Sequence, residues 1–140
     1  MYEVIYFSQG GNTKKIAEAI AGELGVEPED VKTKASPAKD SLIFLGSGIY
    51  NQKPGKALAD FIERNDFTGR KVAVFGTASM LLKRQLAGLE KMLADKGATV
   101  TGTFGCRGEA NFFGACFNRK RPNTKDLEAA REFARKMKAT

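Results

Sequence analysis

A chain of 140 residues can bury one real core, so a single domain over residues 1–140 is expected. Its 42% hydrophobic and 28% charged residues fit a globular protein and exclude a disordered or low-complexity one. Histidine is absent, and the two cysteines, Cys106 and Cys116, do not form a CxxC pair, so Ser-His and Cys-His catalysis, a disulfide framework and histidine-ligated metals are excluded. The 23 Lys and Arg against 16 Asp and Glu give a net charge of +7; no recognised nucleic-acid module accompanies it, which leaves a solvated basic surface or one that steers acidic proteins.

In chain order, a β-branched and aromatic run predicts a first strand over Tyr2–Phe7. It begins almost at Met1 with no signal peptide ahead, and no apolar run approaches membrane-spanning length, so a cytoplasmic protein without membrane contact is expected. Ile16, Ile20 and Leu24 at four-residue spacing predict a helix over Thr13–Leu24, stopped by Gly25. A weak, polar second strand is expected near Asp30–Lys34, broken by Ser36-Pro37. Ser41–Leu45 reads as a central parallel strand closed by Gly46-Ser47-Gly48. Pro54 is expected to start a helix with Leu58, Phe61 and Ile62 on one face. Lys71–Phe75 is the fourth strand, ending at Gly76-Thr77. A helix carrying Leu82, Leu86, Leu89 and Leu93 follows, stopped at Lys96-Gly97, and Ala98–Phe104 is the fifth strand. Residues Gly105–Pro122 read as a long irregular segment. Asn123 then caps a last helix with Leu127, Ala130, Phe133, Ala134 and Met137 inward.

Strand and helix alternate five times, the pattern of a doubly wound parallel sheet with helices on both faces. Ligands of such sheets bind beyond the carboxyl ends of the strands, where Ser8–Thr13, Ser47–Lys53 and Thr77–Leu81 would converge. The first of these runs from strand into helix through Gly10-Gly11, with Ser8, Asn12 and Thr13 as side-chain donors. Unpartnered N–H groups at a helix start carry partial positive charge, and their natural guest is a phosphate. The loop is neither a Walker A motif, which needs Lys-Ser/Thr after its last glycine, nor a dinucleotide fingerprint with three spaced glycines. A plain strand-to-helix turn with Thr13 as N-cap is the alternative.

Ser8-Gln9-Gly10-Gly11-Asn12-Thr13 resembles the Ser/Thr-x-Thr/Ser-Gly-Asn-Thr phosphate loop of the flavodoxin family, right after the first strand. Leu45-Gly46-Ser47-Gly48-Ile49-Tyr50 is similar to the family's second flavin loop, and Val72-Ala73-Val74-Phe75-Gly76-Thr77 leads into the third. The resemblance implies a flavodoxin-like α/β three-layer sandwich: a five-stranded parallel sheet of order 2-1-3-4-5, helices on both faces, and FMN at the point where the winding reverses. It implies an FMN-binding electron-transfer protein, with an FMN-dependent quinone or NAD(P)H oxidoreductase and a flavin-free interaction module as alternatives. Ser8, Gln9, Gly10, Gly11, Asn12 and Thr13 would cradle the phosphate, Ser8 and Thr13 through their hydroxyls. Ser47, Gly48, Ile49, Tyr50 and Asn51 would border one side of the ring, and Thr77, Ala78, Ser79 and Met80 the other, with Tyr50 and Met80 on its two faces. Gly10 replaces the family's hydroxyl residue, and the third loop lacks an aromatic. Both ring loops lack acids but carry Lys53, Lys83 and Arg84, so redox partner proteins with acidic docking surfaces are expected, and a monomer that binds no nucleic acid.

Overall fold

The five strands expected from the sequence enter one sheet. The computed structural model describes residues 1–50, 53–78, 82–112, 115–117 and 120–139, with only the backbone described for 82–85, 110–112 and 115–117. The sheet strands are β1 (Tyr2–Phe7), β2 (Pro28–Asp30), β3 (Leu42–Tyr50), β5 (Lys71–Ala78) and β6 (Thr99–Arg107). They run parallel in the order β2-β1-β3-β5-β6, and the short β4 (Lys53–Pro54) adds antiparallel to β3. This is the expected order of five strands with one small addition.

Parallel strands need crossovers, and the helices supply them: α1 (Asn12–Leu24), α2 (Lys56–Arg64), α3 (Leu82–Asp95) and α4 (Thr124–Lys138). The period-2 alternation of each strand decides which helices it meets. Val4, Tyr6, Phe44, Ala73 and Phe75 pack with Ile16 and Ile20 of α1 and with Ala130, Phe133 and Ala134 of α4. Their neighbours Ile5, Ile43, Leu45, Val72 and Val74 pack with Leu58, Phe61 and Ile62 of α2 and Leu89 and Leu93 of α3. Each large side chain so buried contributes about 1.5–3 kcal/mol. The three-layer sandwich follows from that alternation.

Several boundaries differ from expectation. The second strand lies at Pro28–Asp30, because the Asp30 carboxylate accepts from the Lys32 N–H and starts a 3-10 turn over Val31–Thr33. β3 and β5 run through their glycines to Tyr50 and Ala78, since Gly46, Ser47 and Gly48 of β3 stay in register with Phe75, Gly76 and Thr77 of β5. Ladder pairing here outweighs the low strand preference of glycine. Pro54 belongs to β4, and α2 starts at Lys56 behind Gly55, whose N–H donates to Ser47 Oγ at 2.9 Å and holds the chain against β3. The segment expected to be irregular continues β6 as far as Arg107 and then forms an antiparallel hairpin of β7 (Ala110–Phe112) and β8 (Ala115–Phe117).

Candidate functional site at the carboxyl edge of the sheet

All five parallel strands end at the same edge, so the carboxyl ends of β1, β3 and β5 lie side by side there. The first loop is closed from within, the Gly11 N–H donating to Ser8 Oγ at 3.0 Å. Gly11 is the N-cap of α1 with φ 95°, a left-handed conformation that a side chain would strain. No side chain caps α1 and no acid lies in its first turn. The positive end of the helix thus faces a loop where Gln9 and Gly10 are exposed. A plain turn capped by Thr13 does not describe this geometry. Thr13 is buried, its hydroxyl 2.8 Å from that of buried Thr77, so the pair ties the start of α1 to the end of β5. Asn12 reaches the other way, its Nδ2 donating to the Glu109 carbonyl at 2.9 Å.

The second loop places its side chains unevenly. Ser47 is buried and donates to the Gly48 carbonyl at 2.6 Å while accepting from Gly55, so its hydroxyl serves the turn. Ile49 and Ala78 are buried together with Leu86. Tyr50 is the exposed large side chain of the edge; its hydroxyl accepts from the Gln9 N–H at 3.1 Å, and its ring stands edge-on to Phe7 at 6.3 Å. Burial pushes the Tyr50 phenol up, against the hydrogen bond from Gln9, so it is neutral at physiological pH. Asn51, Ser79 and Met80 lie outside the described residues. Ser8, Gln9, Gly10, Gly11, Asn12, Thr13, Gly48, Tyr50 and Thr77 are thus brought to one edge, as their order in the sequence requires.

Sequence reasoning missed the way the segment after β6 is bound to this edge. The Gly108 N–H donates to the Ala78 carbonyl at 3.2 Å, and the Glu109 N–H to the Arg121 carbonyl at 2.8 Å. Backbone bonds of this kind leave no trace in the sequence. Arg121 in turn pairs with Asp126 through Nε at 2.6 Å and a second guanidinium nitrogen at 2.8 Å. Burial alone would raise the Asp126 carboxyl, but Arg121 and the Asn123 N–H hold it below its usual range. Beside them, burial and then the Asp126 charge push the Cys106 thiol up to about 12, with Arg121 opposing.

The edge is basic. Lys14, Lys15, Lys32, Lys53, Lys56, Arg107 and Lys120 are exposed around it. Of these, Lys56 alone has an ion-pair partner among the described residues, Asp60 at 2.8 Å. No group of three or more Cys, Asp or Glu side chains that could hold a metal ion occurs among the described residues. Nor is any helix among them long and apolar enough to cross a membrane.

Comparison with known proteins gives this edge a family. An uncharacterized protein of Methanocaldococcus jannaschii is 34% identical over 134 residues, covering 89% of this chain and 88% of that one. Among solved structures, oxidised flavodoxin 1 of Bacillus cereus superposes with a TM-score of 0.74 at 22% identity, over 99% of this chain and 98% of that one. The Fusobacterium nucleatum flavodoxin bound to flavin mononucleotide gives a TM-score of 0.69 at 16% identity, over 99% and 98%. The family model of the flavodoxin domain matches residues 3–118, from the first strand to the β7–β8 hairpin and through all three loops of the carboxyl edge. The chain therefore belongs to the flavodoxin domain family.

Proposed function

We propose that this chain binds FMN at the carboxyl edge of its sheet and carries electrons between partner proteins with acidic docking surfaces. The observation that carries this reading is the start of α1, which has neither a side-chain cap nor an acid in its first turn and opens on exposed Gln9 and Gly10. Backbone N–H groups, the Ser8 hydroxyl and the helix dipole make a donor set that fits a phosphate ester. The Fusobacterium relative of the same fold was crystallised with flavin mononucleotide, which agrees with that fit. Gly48 and Tyr50 from the second loop and Thr77 and Ala78 from the third would border the ring. FMN, when bound, supplies reversible one-electron chemistry; the chain's part is to hold it and to present its edge to a partner.

Seven exposed cations around that edge support an acidic partner, because complementary charge steers association. The test is the visible spectrum of the purified protein, followed by reconstitution with FMN and with riboflavin. Each charge-assisted hydrogen bond lost with the phosphate costs roughly 1.5–3 kcal/mol, so riboflavin should bind orders of magnitude more weakly. Equal affinities would remove the phosphate from the site. NAD(P)H turnover without an added reductase would identify an enzyme in place of a carrier.

A further inference from the structure

Tyr50 closes the site against itself. Its hydroxyl accepts from the Gln9 N–H at 3.1 Å, an amide of the loop that faces the phosphate in the reading above. The ring folds back over Gly48: a Cβ there would lie 2.2 Å from the Tyr50 hydroxyl oxygen, so the hydroxyl reaches Gln9 only because residue 48 has no side chain. Phe7 supports the ring edge-on at 6.3 Å. Tyr50 as a whole is 37% exposed and belongs to neither core, so its side chain can swing outward without opening either.

We propose that Tyr50 is a latch on the phosphate loop: its hydroxyl holds the Gln9 N–H until a phosphate group displaces it, and the displacement frees the aromatic ring to pack on the flavin. This inference rests on the FMN reading and adds how the two halves of the site communicate. A phosphate oxygen accepts from an N–H more strongly than a phenol does, so the exchange runs toward the ligand. A closed state lowers apparent affinity in proportion to its population, and removing its hydrogen bond removes that factor. The latch therefore predicts an unusual sign, because deleting a polar atom from the site should tighten binding.

The experiment titrates wild type and Tyr50→Phe with inorganic phosphate, following the Gln9 amide by NMR, and then with FMN, following the quenching of flavin fluorescence. Loss of one neutral hydrogen bond from the closed state should tighten both ligands about three- to tenfold. Gly48→Ala should expel the hydroxyl by contact and give a similar gain for phosphate, and the double variant should gain no more than either single one. Unchanged or weaker binding of phosphate and FMN by Tyr50→Phe, with FMN still bound by the wild type, would overturn the latch and leave the flavin reading standing. Failure of both proteins to bind FMN would overturn the two together.

Discussion

Thr13 in the first turn of α1 and Thr77 near the end of β5 are more than sixty residues apart in the chain, yet their hydroxyls meet at 2.8 Å in a buried contact. The sequence offers Thr13 as a phosphate ligand, whereas the fold gives its hydroxyl a partner within the protein. Thr13→Val keeps the shape and leaves the buried Thr77 hydroxyl without this partner, which should cost about 1–3 kcal/mol. The midpoint of urea denaturation should fall with the slope unchanged. Cys106 carries a second prediction of this scale. Its thiol is buried and pushed up to about 12, so little thiolate exists near neutrality. Cys106 should resist alkylation at pH 8 in the folded protein and react once denaturant is added, as peptide mapping would read. Rapid labelling of Cys106 in the native state would mean that β6 opens at its carboxyl end.

At the scale of elements, what the sequence reveals depends on whether a signal is local. The last helix is legible because its start is local: Asn123 accepts from the Asp126 N–H at 3.0 Å, and Asp126 accepts from the Asn123 N–H at 2.8 Å. Asn123→Ala should therefore cost about 1 kcal/mol through the lost cap, seen as a lowered thermal midpoint. The ends of β3 and β5 are not legible, since glycine marks them as breaks while pairing on both sides carries the strands onward. Equally hidden is the network at the opposite edge of the sheet. There buried Glu3 on β1 accepts from the Ala38 N–H and the Ser41 hydroxyl and pairs with Lys34 at 2.7 Å. Burial would raise this carboxyl, but Lys34, Ala38 and Ser41 together hold it below its usual value. A depressed folded pKa gives stability that is complete above the unfolded value, about 4.3, and is lost as pH falls through the folded one. Glu3→Gln should lower stability at neutral pH by about 1.5–3 kcal/mol and flatten its decline in acid. An equally steep acid decline in the variant would place the titrating group elsewhere.

At the scale of the whole molecule, the excess of basic residues is plain in the composition, but its placement required the fold. Parallel strands bring chain segments from Lys14 to Lys120 to one edge, while several acids lie in pairs away from it, such as Glu23 with Arg135 and Asp95 with Lys91. A cation about 8 Å from a redox centre at an effective dielectric near 40 stabilises added negative charge by roughly 1 kcal/mol. For one electron that is on the order of 45 mV, on the scale where about 59 mV is tenfold. With screening, two or three of these cations should make the second one-electron couple of bound FMN less negative by roughly 50–130 mV than in a flavodoxin with an acidic rim. Reversing Lys14, Lys15 and Lys53 to Glu should move the couple back and slow electron transfer to an acidic partner. The same charges make both effects depend on ionic strength, because surface fields decay over about 10 Å at 0.1 M salt. Potentiometry and stopped-flow transfer at low and high salt read the two effects separately. A couple that ignores both salt and charge reversal would show that the rim guides encounter alone and leaves the chemistry of the flavin untouched.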